Sequence, residues 1–277
     1  MNASKEPPFA WEPITPRGVA VFARASFERL FVVQSIFALI GAAAVVFLLS
    51  HGIYPTINSA ISQLPDSGQI HSGKLEWRDD SPVMLAEGKI LAFSVDLEHG
   101  GALRSPADFQ LEFGSDSLRI FSLFGESEIN YPPGYVIAAN QTDARPAWGA
   151  WAPDILGLAA IGTFFALFIS WAVLATIYFL PVWLICLFTN RDLNFRASWK
   201  LAGAALMPGA LLISLSLVLY AIDGRFDLVQ LCFAFSMHLV IGWIYLFISP
   251  MFLNRALATE KKNPFTHTGG ESPKVSS

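Results

Sequence analysis

The chain has 277 residues, 53% of them apolar and only 14% charged, with 18 Lys and Arg against 22 Asp and Glu for a net charge of −4. A soluble globular chain carries roughly 25% charged residues, so the composition excludes an ordinary soluble enzyme. Mild acidity without a basic face excludes a nucleic-acid binder, and two cysteines cannot staple a secreted domain.

The charge deficit is local. Four windows hold no Asp, Glu, Lys or Arg: Leu30–Ser50, Ile155–Asn190, Leu201–Ile222 and Leu228–Asn254, together 106 residues. The 40 charges fall on the other 171 residues, a normal density of 23%. A helix needs about 20 apolar residues to cross a hydrocarbon core of roughly 30 Å, and only helices or closed barrels satisfy their backbone there. These windows are too long and too continuously apolar for alternating barrel strands. The pattern therefore predicts an α-helical integral membrane protein with four transmembrane helices and a small inserted extracytoplasmic β domain.

Residues 1–29 form a cytoplasmic tail, too long and too acidic for a signal peptide. Within it Thr15-Pro16 starts an interfacial helix, Thr as N-cap and Pro at the first position, that continues through Arg24 and Phe27 into the first span, 30–50.

Segment 51–153 lies outside, with the β domain at about 66–135. Strands are expected near Lys74–Arg78, Val83–Ala86, Lys89–Leu97, Phe109–Phe113, Ser117–Leu123 and Glu126–Tyr131, separated by turn signals such as Asp79–Pro82 and Gly114–Asp116. The domain carries 12 acidic against five basic residues, a local charge of −7. Segments 52–65 and 134–153 are expected to be turn-rich connectors. GQIHSGKL nearly reads as a phosphate-binding loop, but Leu75 stands where the Mg²⁺-binding hydroxyl is needed. His71 and His99 with Asp79, Asp80, Asp96 and Glu98 show no tight metal-ligand spacing, and they read as isolated surface residues. Asn140-Gln141-Thr142 is a glycosylation sequon, meaningful only in a eukaryotic secretory route.

The second span is expected at 154–181, ending at Pro181. A cytoplasmic interfacial segment 182–200 follows, in which Leu193, Phe195 and Trp199 interleave with Arg191, Arg196 and Lys200 to suit anionic headgroups or a docking partner. The third span is 201–222, the external turn 223–227 and the fourth span 228–250. The tail 251–277 is low in apolar content and expected to be disordered and cytoplasmic. Short basic segments settle the orientation: four Lys or Arg in the N-terminal tail, three in 191–200 and four in the C-terminal tail all fall inside if both termini are cytoplasmic.

The order of parts resembles the bacterial membrane proteins of unknown function grouped with the Yip superfamily. The resemblance rests on the external pattern SGKLEW…SP…ILAFSVD…FQLEFGSDSLRIFS, the run NRDLNFRASWKLAGAALMP and a last helical pair ending in IYLFISPM. It implies a multispanning protein of the bacterial cytoplasmic membrane, with no catalytic residues and no cofactor, acting in membrane organisation, trafficking or help to a partner protein.

Chemistry-bearing candidates are few. His238, near the middle of the fourth span, is the one ionisable group inside a window, read either as a proton-responsive or ligand-contacting group or as a neutral imidazole bonded to a neighbouring Ser, Thr or Tyr. No Asp or Glu accompanies it. Small residues four apart, Ala38/Ala42 and Ala205/Gly209, allow close helix approach and mark either the bundle core or a dimer face. Pro181, Pro208 and Pro250 fall near span ends and read as terminators, with a gating hinge as the alternative. No metal-binding or hydrolase signature occurs, and no metal or catalytic residue is expected. The expected function is a non-enzymatic scaffold, adaptor or regulatory protein, with the lipid bilayer and a membrane or extracytoplasmic protein as partners, no nucleic acid, and self-association left open. The alternative is a small transporter or permease accessory subunit with a pathway near His238.

Overall fold

The computed structural model describes residues 11–255; the expectation for the tail beyond Arg255 lies outside the described residues. Four helical runs, Phe27–Ser62, Gln141–Phe188, Phe195–Ile222 and Leu228–Phe252, are long and apolar enough to cross a membrane, and a separate β-sheet region is inserted between the first two.

Thr15 caps helix α1 (Pro16–Val21), its hydroxyl accepting from Gly18 N at 3.0 Å. Contrary to expectation, α1 does not run into the first span. It tightens into a 3₁₀ turn at Phe22–Arg24, Ala25 is extended, and Ser26 caps a new helix by accepting from Arg29 N. A serine ready to satisfy an orphan N–H makes a restart favourable. Helix α2 (Phe27–Phe47) passes through a π-helical turn at Leu48–Ile53 into α3 (Tyr54–Ser62). The expected connector at 52–65 is thus largely helix, with Pro55 placed just after the π-helical turn.

Helix α4 (Gln141–Phe188) has 48 residues, about 72 Å at 1.5 Å per residue. Asn140 caps it by accepting from Asp143 N at 2.9 Å, so the expected connector at 134–153 is mostly the first turns of this helix. Pro181 does not end it. One proline removes one ladder bond and bends a helix; here Val182 and Cys186 beyond it are buried in the bundle at 0% and 1% exposure, and their packing carries the helix onward. Asn194 caps α5 (Phe195–Ala205), and Leu206 joins it to α6 (Met207–Ile222), with Pro208 in the first turn. Asp227 and Gln230 form a capping box on α7 (Leu228–Ile248), and Pro250 opens the closing 3₁₀ turn Ser249–Phe252.

The bundle core gathers Leu30, Val33, Trp171, Ala175, Leu201, Met207 and Leu246. Ala38, Ala42, Ala205 and Gly209 are all buried within this single chain, which assigns the small-residue pairs to the bundle core. Their close-approach role is direct at Gly209, where a Cβ would sit 2.4 Å from the His238 carbonyl oxygen.

The β region forms two sheets. Strands β3 (Val83–Glu87), β4 (Leu91–Val95), β5 (Phe109–Phe113), β6 (Ser117–Ser122) and β7 (Gly125–Asn130) lie in that order. The second sheet has β1 (Gln69–His71) between β2 (Lys74–Glu76) and β8 (Ile137–Ala138). GQIHSGKL is the β1–β2 hairpin. Ile70, Leu75, Leu85, Val95 and Tyr131 form a small core with Ala60 of α3. All pairs are antiparallel except β4–β5, and that parallel pair requires a long crossover, residues 96–108.

Candidate functional site

The crossover is held by buried polar chemistry on one face of the large sheet. Strand alternation turns Ser94, Gln110 and Glu112 to the same side, and all three are buried. Gln110 donates to Ser94 Oγ at 2.9 Å and to the Leu103 carbonyl at 3.1 Å, and accepts from Ser105 N. Glu112, fully buried, accepts from Arg104 Nη1 at 2.8 Å and from His99 Nδ1 at 2.9 Å. The Arg104 guanidinium lies 3.9 Å from the Phe121 ring centroid. Ser117 donates its one proton to Glu128 Oε1 at 2.7 Å, so its oxygen accepts from His99 Nε2 at 3.0 Å.

The row Ser117–His99–Glu112 has the residue types of a nucleophilic triad but not its chemistry. Ser117 is fully buried and its proton is committed to a carboxylate, whereas a nucleophile must hand its proton to the base and reach a substrate. The row is a staple that fixes the crossover. Gly114 makes room for it: a Cβ there would fall 1.9 Å from His99 Nε2. Tyr131, at the end of β7, donates to the Gly114 carbonyl at 3.2 Å; burial, then the Asp116 charge, raise its phenol well above the ordinary value.

A joint holds the sheets to the helical bundle. Lys89, in the β3–β4 turn, extends its ammonium to the carbonyls of Tyr220, Asp223 and Phe226 around the C-terminus of α6. A cation there meets the negative end of the helix dipole. Asp108 accepts from the Tyr220 hydroxyl at 2.7 Å, and Ile90, Tyr220 and Leu228 close a small core beneath. The 223–227 turn is thus the seat of the β region.

At the other end of the large sheet the edge is open. Strand β7 ends the strand order and all six of its residues are exposed. Tyr131 N bonds to Asp116 O across to β6; by the alternation of an antiparallel ladder, Glu126 and Glu128 then turn their backbone N–H and C=O outward. Leu123, Phe124 and Ile129 are exposed beside this edge.

His238 Nδ1 donates to the Phe235 carbonyl of its own helix rather than to a neighbouring hydroxyl. It lines a cavity of about 280 Å³ between α4, α6 and α7 with Ser170, Tyr178 and Trp243, the last of which donates to Tyr178 Oη at 3.0 Å. Among the described residues no group of three His, Cys, Asp or Glu converges as metal ligands.

Of the five basic and aromatic residues expected at the interface, three serve the fold. Arg191 Nη1 donates to the Leu253 carbonyl, Lys200 Nζ to Ala25 O, and Trp199 Nε1 to Thr176 Oγ1 at 3.1 Å. Phe195 packs on Trp183 but remains 56% exposed, and Arg196 is exposed. Lys89, Asp108, Tyr220, Arg104, Glu112 and Ser117 were not singled out by the sequence. A lysine at the start of an expected strand reads as solvated, and Tyr220 sits in a charge-free window like any apolar residue.

These features define a chain with four helices long and apolar enough to cross a membrane, carrying a braced β region with an open edge at β7. No protein family, curated protein or solved structure matches it.

Proposed function

We propose that the chain is a non-enzymatic membrane scaffold, adaptor or regulatory protein. The four helices lie in a membrane, both termini are cytoplasmic and the acidic β region faces outward. The basic residues Arg17, Arg24, Arg29, Arg191, Arg196 and Lys200 lie on segments at the end away from the sheets, which suits that orientation. The observation that carries the reading is the open, fully exposed β7 edge on a domain braced against the bundle. Unprotected edges recruit strands, and Glu126 and Glu128, sharing Arg119 alone as ion-pair partner among the described residues, favour an extended basic segment.

The test places a photo-crosslinking side chain at Ser127 in intact cells. A discrete adduct is expected, lost in Glu126→Pro, which removes an outward N–H while leaving the β6 ladder whole. No adduct, together with recovery of the protein alone after mild detergent extraction, overturns the reading.

A second reading, a small transporter or permease accessory subunit, is favoured by the cavity beside His238. It requires His238→Ala to change uptake or its pH response; a silent substitution removes it.

A further inference from the structure

Away from the sheets, α1 lies against the turn Ser249–Phe252, and a cavity of about 190 Å³ opens between them, lined by Arg17, Arg24, Phe252, Leu253 and Asn254. Arg17 and Arg24 are seven residues apart, the spacing that places two side chains on one side of a helical segment. No acidic side chain lines the cavity, and neither guanidinium forms an ion pair among the described residues.

Independent geometry concentrates positive charge beside it. Arg191 forms an isolated antiparallel bridge with Arg255 and donates to the carbonyl of Leu253, a cavity residue. Its Nε is buried without a partner. Like charges on directly paired residues repel, and Asp192 beside them makes no ion pair among the described residues.

We infer that this cavity binds the phosphate of an anionic phospholipid headgroup, with Arg17 and Arg24 as its two principal donors. Guanidinium forks match phosphate oxygens. Phe252, 52% exposed at the rim, offers an apolar surface for the adjoining acyl chain. The bound lipid would tie α1 to the end of α7. The inference rests on the membrane placement proposed above, not on the partner role of β7.

The test is native mass spectrometry of the detergent-extracted full chain with added phosphatidylglycerol or phosphatidylcholine, with thermal unfolding as a fold control. Wild type and Arg145→Gln, a change at an exposed residue near the sheet end of α4, are expected to retain phosphatidylglycerol selectively. Arg17→Gln/Arg24→Gln should bind it about thirtyfold more weakly, the scale expected for losing two headgroup cations; the single Arg17→Gln change should weaken it in the same direction if the double variant fails to fold. Equal retention of the two lipids by wild type, or undiminished binding by a folded variant, overturns the site. Displacement of the lipid by inorganic phosphate at matched concentration overturns the lipid source in favour of a free anion. A chain that stays dispersed without detergent instead overturns the membrane placement.

Discussion

Lys89 and Tyr220 meet twice: the ammonium donates to the tyrosine carbonyl at 2.9 Å and lies 4.9 Å from the centre of its ring. The same nitrogen also serves Asp223 and Phe226, so one side chain from the β3–β4 turn closes the end of α6. Replacing it by methionine keeps an unbranched stem and removes every donor. Lys89→Met is expected to weaken docking by about 2–3 kcal/mol, the scale of charged hydrogen bonds whose carbonyl acceptors are then left unpaired. Faster amide hydrogen exchange at 223–227 and in the β3–β4 turn is the readout; unchanged protection there would show that Ile90 and Asp108 hold the joint alone.

Glu112 is the centre of the crossover staple, fully buried between Arg104 and His99. Arg104 is half exposed and can turn to water, but His99 is left without its acceptor, at about 1–3 kcal/mol. Glu112→Ala should therefore release the crossover, seen as protease cleavage within residues 98–107, while helical circular dichroism is retained. Gly114→Ala should produce a milder version by steric means, since its methyl would collide with the His99 ring.

Tyr131 supplies a pH signature. Its phenol is held neutral by burial and by the Asp116 charge, so its folded-state pKa lies above the unfolded value of about 10. The folded state then binds the proton more tightly, and the associated stability is complete below pH 10 and declines as pH rises beyond it. Chemical unfolding of the β region followed from pH 9 to 11 should show this decline. Tyr131→Phe, which cannot ionise, should lose less stability over that interval, at the cost of about 1 kcal/mol at neutral pH for the bond to Gly114.

Which parts were legible follows from the same physics. Long charge-free runs mark the four helices because apolar length is an additive signal. The six expected strands from Lys74 to Tyr131 are all present because alternation and turn residues bracket them. β1 and β8, three and two residues long, carry too few positions to show alternation. Helix α3 and the start of α4 were hidden by Pro55, Pro146 and Pro153, which punctuate a sequence locally but yield to capping and tertiary packing. The joint and the staple were illegible for another reason. Lys89 and Tyr220 are 131 residues apart, and no local pattern announces that a solvated-looking lysine will end on a helix terminus.

The small-residue pairs left the bundle core and a dimer face equally open, and Gly209 distinguishes them. It lies against the backbone of α7, where an added Cβ would stand 2.4 Å from the carbonyl oxygen and 3.2 Å from the carbonyl carbon of His238. Backbone atoms cannot swing aside as the end of a side chain can, so Gly209→Ala must displace α7 as a body. Overpacking of this kind costs about 1–3 kcal/mol, and the displaced helix carries His238 and Trp243 with it. Trp243 donates to Tyr178 on α4, so the substitution should lower the thermal midpoint in detergent and shift tryptophan emission together. A fall in stability that appears only on dilution would instead place Gly209 at an interface between chains. An equal loss at every protein concentration is the outcome that its burial within one chain requires.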